Sequence, residues 1–95
     1  VDFKNAATAE IYSGVTSAKT RRFLPPALHA VARRKMDQVR AASTVASLRI
    51  PPGNRLEALS GDRAGQFSIR INDQYRLCFT FEDGAAANLE IVDYH

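Results

Sequence analysis

The run Ile50-Pro51-Pro52-Gly53-Asn54 lies at the middle of the chain, and neither a regular helix nor a central strand can pass through it. Adjacent prolines remove two amide donors and fix two φ angles, and Gly-Asn favours a turn. The two halves must therefore fold separately, and their hydrophobic periods differ. Before the break, Leu28, Val31, Ala32, Met36 and Val39 recur at spacings of three and four, which predicts a helix entered through Pro25 and Pro26. Arg33, Arg34, Asp37 and Arg40 fall largely outside that stripe. An earlier helix is expected from Asn5, as cap, through Tyr12, ended by Gly14, with Val1-Asp2-Phe3 as a short first strand. Val15 to Thr20 reads as a loop, and Ala41 to Ser47 as a further short helical turn.

After the break the period is two. Arg55 to Leu59 predicts a short strand, Ser60 to Gly65 a loop, and Phe67-Ser68-Ile69-Arg70-Ile71 a strand with its apolar residues on one face. Asn72-Asp73-Gln74 turns the chain into Tyr75 to Phe81, Glu82-Asp83-Gly84 turns it again, and Ala87 to Asp93 closes a meander. Helices first and hairpins last predict one α+β domain over residues 1–95. Its N-terminal helices pack on one face of a mainly antiparallel sheet of four to five strands, leaving the other face open for a ligand.

Ninety-five residues allow a single hydrophobic core, and no apolar run approaches the roughly 20 residues that cross a bilayer. Cys78 is alone, which excludes an intrachain disulfide framework and suits a cytoplasmic protein. Its place in the apolar run Leu77 to Phe81 marks it as a packing residue. No His-Glu-x-x-His motif, thiol cluster, phosphate-binding glycine loop or nucleophile elbow is present, so no metal or cofactor is expected.

Arginine supplies ten of the thirteen basic residues, and the net charge is +3. Its planar fork grips phosphate in two places, which makes nucleic acid a natural partner. Strand alternation turns Arg70 away from the core and sets Arg76 on the face opposite Tyr75 and Leu77. The chain closes on Asp93-Tyr94-His95, three side chains that can move or orient protons. With Arg70 and Arg76 on the phosphate, these three can divide the activation of a ribose 2′-hydroxyl and the protonation of the leaving oxygen. A rival reading is a helix-turn-helix DNA binder, which leaves the strand arginines unexplained.

Residues 51–66 (Pro-Pro-Gly-Asn-Arg-Leu-Glu-Ala-Leu-Ser-Gly-Asp-Arg-Ala-Gly-Gln), then Ser-Ile-Arg-Ile-Asn-Asp-Gln-Tyr-Arg-Leu-Cys-Phe and the closing Val-Asp-Tyr-His, strongly resemble the HigB-like branch of the RelE toxin superfamily. The resemblance implies a RelE-like fold and a ribosome-dependent messenger RNA endonuclease. It implies a HigA-like helix-turn-helix antitoxin, action on the 70S ribosome, and contact with operator DNA only through the antitoxin complex; the rival to the nuclease is a non-catalytic module that only binds an antitoxin or nucleic acid. It assigns His95 and Tyr94 as the terminal catalytic pair, Asp93 as the acidic residue before them, and Arg76, with Arg70, as phosphate ligands. Arg33, Arg34, Lys35, Arg40 and Arg63 become RNA contacts. The chain departs from the family where many members carry His-Pro-Leu-Lys and it carries Glu57-Ala58-Leu59-Ser60, which casts Glu57 as a substitute base.

Overall fold

The computed structural model describes residues 2–93, and its first half follows the chemistry of helix ends. Asn5 accepts from the Thr8 amide at 2.9 Å and starts α1, Ala6–Tyr12; Gly14, at φ 84°, lies just beyond its end. The loop expected at Val15 to Thr20 is corrected, because Ala18–Phe23 forms a second helix, α2. Its start is a reciprocal capping box. The Ser17 hydroxyl accepts from the Thr20 amide at 3.2 Å, and the Thr20 hydroxyl accepts from the Ser17 amide at 2.9 Å. A threonine does the work more often done by Glu or Gln, and the basic run that follows is helical.

A 3-10 turn at Pro26–Leu28 leads into α3, His29–Ala41. As the periodicity predicts, Ala32, Met36 and Val39 are wholly buried, and Leu28 and Val31 pack beside them. His29 is buried too, with Nε2 2.7 Å from the Leu24 carbonyl, so that nitrogen donates. Beyond α3 the expected helical turn falls later, at Val45–Arg49, where the Thr44 hydroxyl accepts from the Ser47 amide. The proline break itself winds into a 3-10 turn, Pro52–Asn54.

The sheet runs in the order β1 (Glu57–Ala58), β2 (Gln66–Arg70), β3 (Tyr75–Glu82), β4 (Ala85–Asp93), every pair antiparallel. The strand predicted over Arg55 to Leu59 shrinks to two residues because Arg55 takes a left-handed conformation, φ 47° and ψ 56°. The expected first strand is reduced to one parallel bridge, Phe3 beside Leu89, with bonds from Lys4 N–H to Leu89 O and from Leu89 N–H to Asp2 O. In β4, Asn88 at φ 55° makes a bulge. Thr80 pairs with Ala87 and Cys78 with Glu90, so one extra residue is inserted opposite Phe79. That shift lets both Ala86 and Leu89 reach the core.

Helices cover one sheet face. Ile11, Leu24, Ala32, Met36, Val39 and Leu48 meet Ile69, Leu77, Phe79, Leu89 and Ile91, each large aliphatic or aromatic side chain contributing about 1.5–3 kcal/mol by leaving water. Thr8, at the centre of α1, is fully buried and accepts from the Ile91 amide, which fastens α1 to the outer edge of β4. No helix among the described residues is long and apolar enough to cross a membrane. The second sheet face carries Gln66, Ser68, Arg70, Arg76, Cys78 and Glu90, and it is less open than expected. Ser68 and Cys78 are wholly buried there and Arg76 is 9% exposed.

Candidate nucleic-acid interface

Arg76 is the centre of that second face. It stands directly across from Arg70 on β2 and from Val92 on β4, so both arginines point to the same side, as alternation predicts. Four acceptors hold its guanidinium. Nε donates to the Ser68 hydroxyl at 2.8 Å, and Nη2 donates to the Arg55 carbonyl at 2.5 Å and more weakly to the Ser68 carbonyl at 3.5 Å. Glu57, exposed and paired with Ser68 across β1 and β2, lies 3.3 Å from the same Nη2. The fork is thus fixed in one orientation, from buried Ser68 on one strand and from the Arg55 carbonyl and Glu57 beside it.

Like charges directly across a sheet repel, and here each arginine has its own carboxylate. Glu57 serves Arg76, and Asp73, fully exposed on the β2–β3 turn, bonds to Arg70. That hydrogen bond and the Arg70 charge hold the Asp73 carboxyl below its ordinary value. The turn is set by Asn72, whose side chain accepts from the amides of Gln74 and Tyr75.

The basic residues assigned to RNA divide by what they already touch. Arg33 donates to the Ile11 carbonyl at 3.0 Å and so closes the end of α1. Arg40 lies 5.0 Å above the Tyr12 ring and bonds its hydroxyl, which in turn donates to Asp37. Lys35 donates to the Asn54 side chain at 2.5 Å, and burial, aided by Arg34 and Arg70, pushes its amine down. Arg63 bridges Gln66 and Glu90 on the Arg76 face, at 3.1 and 3.0 Å. Arg34 alone of this set is exposed with no hydrogen bond or ion pair among the described residues. Beneath Arg63, burial pushes the Cys78 thiol up, against the lowering effect of the nearby cations, as suits a packing residue.

Asp93 pairs with Tyr75, one position past the Val92 that faces Arg76, and accepts from Gln74 at 3.2 Å. Tyr94 and His95 lie outside the described residues. Three contributors to this site escape the sequence reading. Ser68 reads as ordinary strand alternation, although the same alternation puts it on the arginine face, which was the available signal. Asn54 reads as a turn residue and is wholly buried. The Arg55 carbonyl leaves no mark in a sequence. Chemically, the face offers a rigid guanidinium beside an exposed carboxylate, with Arg70 near enough for its charge to be felt at Lys35 of α3.

A family model described as the RelE-like toxin of type II toxin-antitoxin system HigB matches residues 2–95. Toxin HigB-1 of Vibrio cholerae serotype O1 is 40% identical over 88 residues, 93% of this chain and 90% of that protein. An uncharacterized protein of Haemophilus influenzae is 39% identical over 66 residues, 70% of this chain and 65% of its own.

Proposed function

Since the chain belongs to the HigB-like family of RelE-like toxins of type II toxin-antitoxin systems, we propose that it cleaves messenger RNA on the 70S ribosome and so halts translation in the cytoplasm. The observation that carries this reading is the fixed Arg76 guanidinium, 3.3 Å from an exposed Glu57 carboxylate on the face it shares with Arg70. Such a pair suits in-line attack of a ribose 2′-hydroxyl on the adjacent phosphorus. The 2′-oxygen gives its proton to a base, the bond from phosphorus to the 5′-oxygen breaks, and that oxygen takes a proton. The products are a 2′,3′-cyclic phosphate and a 5′-hydroxyl. Arg76 neutralises the charge that builds on the phosphate oxygens, which is worth most where the donor is already oriented. Arg70 adds a second positive charge on the same side. Glu57, Tyr94 and His95 are the groups for the two proton transfers, and the family resemblance favours the terminal pair; Asp93, across from Tyr75 on the opposite face from Arg76, is left an orienting role.

A HigA-like helix-turn-helix antitoxin is the partner that this reading implies, with operator DNA contacted only through the complex. The experiment is cleavage of a reporter messenger on programmed ribosomes, mapped by primer extension, for the wild type beside His95→Ala and Arg76→Ala, with thermal melts to verify folding. Discrete cuts in the decoding site that vanish in both folded variants support the reading. A folded wild type that makes no cuts overturns it in favour of a non-catalytic binding module.

A further inference from the structure

Asn54 occupies an unusual position for a residue that follows Pro-Pro-Gly. It is wholly buried, and both polar atoms of its side chain are hydrogen-bonded. The amide nitrogen donates to Gln38 Oε1 at 3.2 Å, to the Leu48 carbonyl at 3.1 Å and, at 3.4 Å, to the Ile50 carbonyl, while Oδ1 accepts from Lys35. Gln38 also donates to the Ile50 carbonyl at 2.7 Å, so α3 holds the whole proline segment through two side chains and Asn54. The next residue, Arg55, has positive φ, a conformation that a non-glycine residue keeps only where its surroundings impose it. In that conformation its carbonyl meets Arg76 Nη2 at 2.5 Å. The anchor and the strained residue are adjacent, so the position of the carbonyl follows from the anchoring of Asn54.

We propose that Asn54 is a positioning residue for Arg76, acting through the Arg55 carbonyl, with Gln38 and Lys35 fixing Asn54 in turn. The inference rests on the reading of Arg76 as the phosphate ligand in RNA cleavage. Ser68 fixes one side of the guanidinium from within the sheet, and the Arg55 carbonyl fixes the other from outside it. Loss of the Arg55 carbonyl leaves Nη2 to the longer contacts with the Ser68 carbonyl and the exposed Glu57, so the fork can swing about Nε while the fold and the charge remain. Misplacement of a catalytic group by about 1 Å costs on the order of 100-fold in rate.

The test is a mutant cycle on the full chain with programmed ribosomes. Asn54→Ala is expected to lower the cleavage rate at saturating ribosomes by about 10- to 100-fold, with ribosome affinity held. In an Arg76→Lys background, where no fork is left to orient, the same change is expected to cost less than about twofold. An equal fold-loss in both backgrounds overturns the proposal, since a general loss of stability does not depend on residue 76. Gln38→Ala removes one acceptor from Asn54 at an alanine-tolerant helix position; it carries the cycle, with a smaller loss, should Asn54→Ala fail to fold. Nitrogen NMR of the Arg76 guanidinium gives a readout separate from activity. Resolved, slowly exchanging Nη signals in the wild type should collapse in the variants, and unchanged signals sink the proposal. A wild type without cleavage defeats the nuclease reading alone, while the NMR arm still decides whether Asn54 orients Arg76.

Discussion

Ser68→Ala isolates a single contact of the proposed site. The hydroxyl is wholly buried and accepts from Arg76 Nε at 2.8 Å, while the alanine methyl leaves nearly the same volume. What remains is a buried N–H of a charged group without that acceptor. Hydrogen bonds to charged groups are worth about 1.5–3 kcal/mol, and since Arg76 keeps the Arg55 carbonyl and Glu57, the lower end applies, about 1.5–2 kcal/mol. In a domain of 95 residues each kcal/mol moves the melting temperature by about 4–8 °C, so a drop of about 6–16 °C is expected. The assay is thermal and urea unfolding of the wild type, Ser68→Ala, Arg76→Met and the double variant. With methionine at 76 there is no donor to strand, and the serine change should then cost almost nothing. A Ser68→Ala penalty of the same size in both backgrounds refutes the reasoning, because the loss would belong to the serine and not to its bond with the guanidinium.

Three further outcomes follow from the same geometry. Asp73→Asn removes a carboxyl held low by Arg70: that interaction stabilises above the ordinary carboxylate range and is lost as pH falls through the lowered folded value, so the variant's urea midpoint should fall less than the wild type's between neutral and strongly acid pH. Arg34→Glu, at an exposed residue with no described partner, should weaken co-sedimentation with ribosomes at low salt and shift stability by less than about 0.5 kcal/mol, whereas Arg33→Glu, which breaks the bond to the Ile11 carbonyl, should lower the melting temperature. Ser60→Lys restores the lysine of the family pattern at a residue whose side chain makes no capping bond, and it should raise cleavage on programmed ribosomes; unchanged or weaker cleavage counts against a role for that missing charge.

The legible parts of this fold are those set by local sequence. The stripe on α3 and the alternation in β2 and β3 each report one buried face, and the structure buries those faces. α2 escapes because its capping box uses threonine at the third helical position, which a search for Ser-x-x-Glu passes over. The bulge at Asn88 escapes because it depends on how β4 must shift to bring both Ala86 and Leu89 inward, and no neighbouring residue announces that. At the site, alternation suffices to bring Arg70 and Arg76 to one side. It cannot reveal how Arg76 is held, because the Arg55 carbonyl that meets its guanidinium comes from the irregular segment after the prolines.

That segment joins the two kinds of information. Pro51 and Pro52 are conspicuous in the sequence as a break, yet their consequence in three dimensions is constructive, because the turn they form brings Asn54 under α3 and Arg55 to the edge of the sheet. The helical half therefore acts on the arginine face through a piece of chain that is neither helix nor strand. An arginine held only by solvent-exposed carboxylates would lose rotamer freedom on each encounter with a phosphate, whereas one already fixed by Ser68 and a main-chain carbonyl brings that ordering from the folded state. Glu57 fits the same logic: its exposed carboxylate balances Arg76 in the free protein and can yield to an incoming phosphate while Ser68 and the Arg55 carbonyl keep the guanidinium in place.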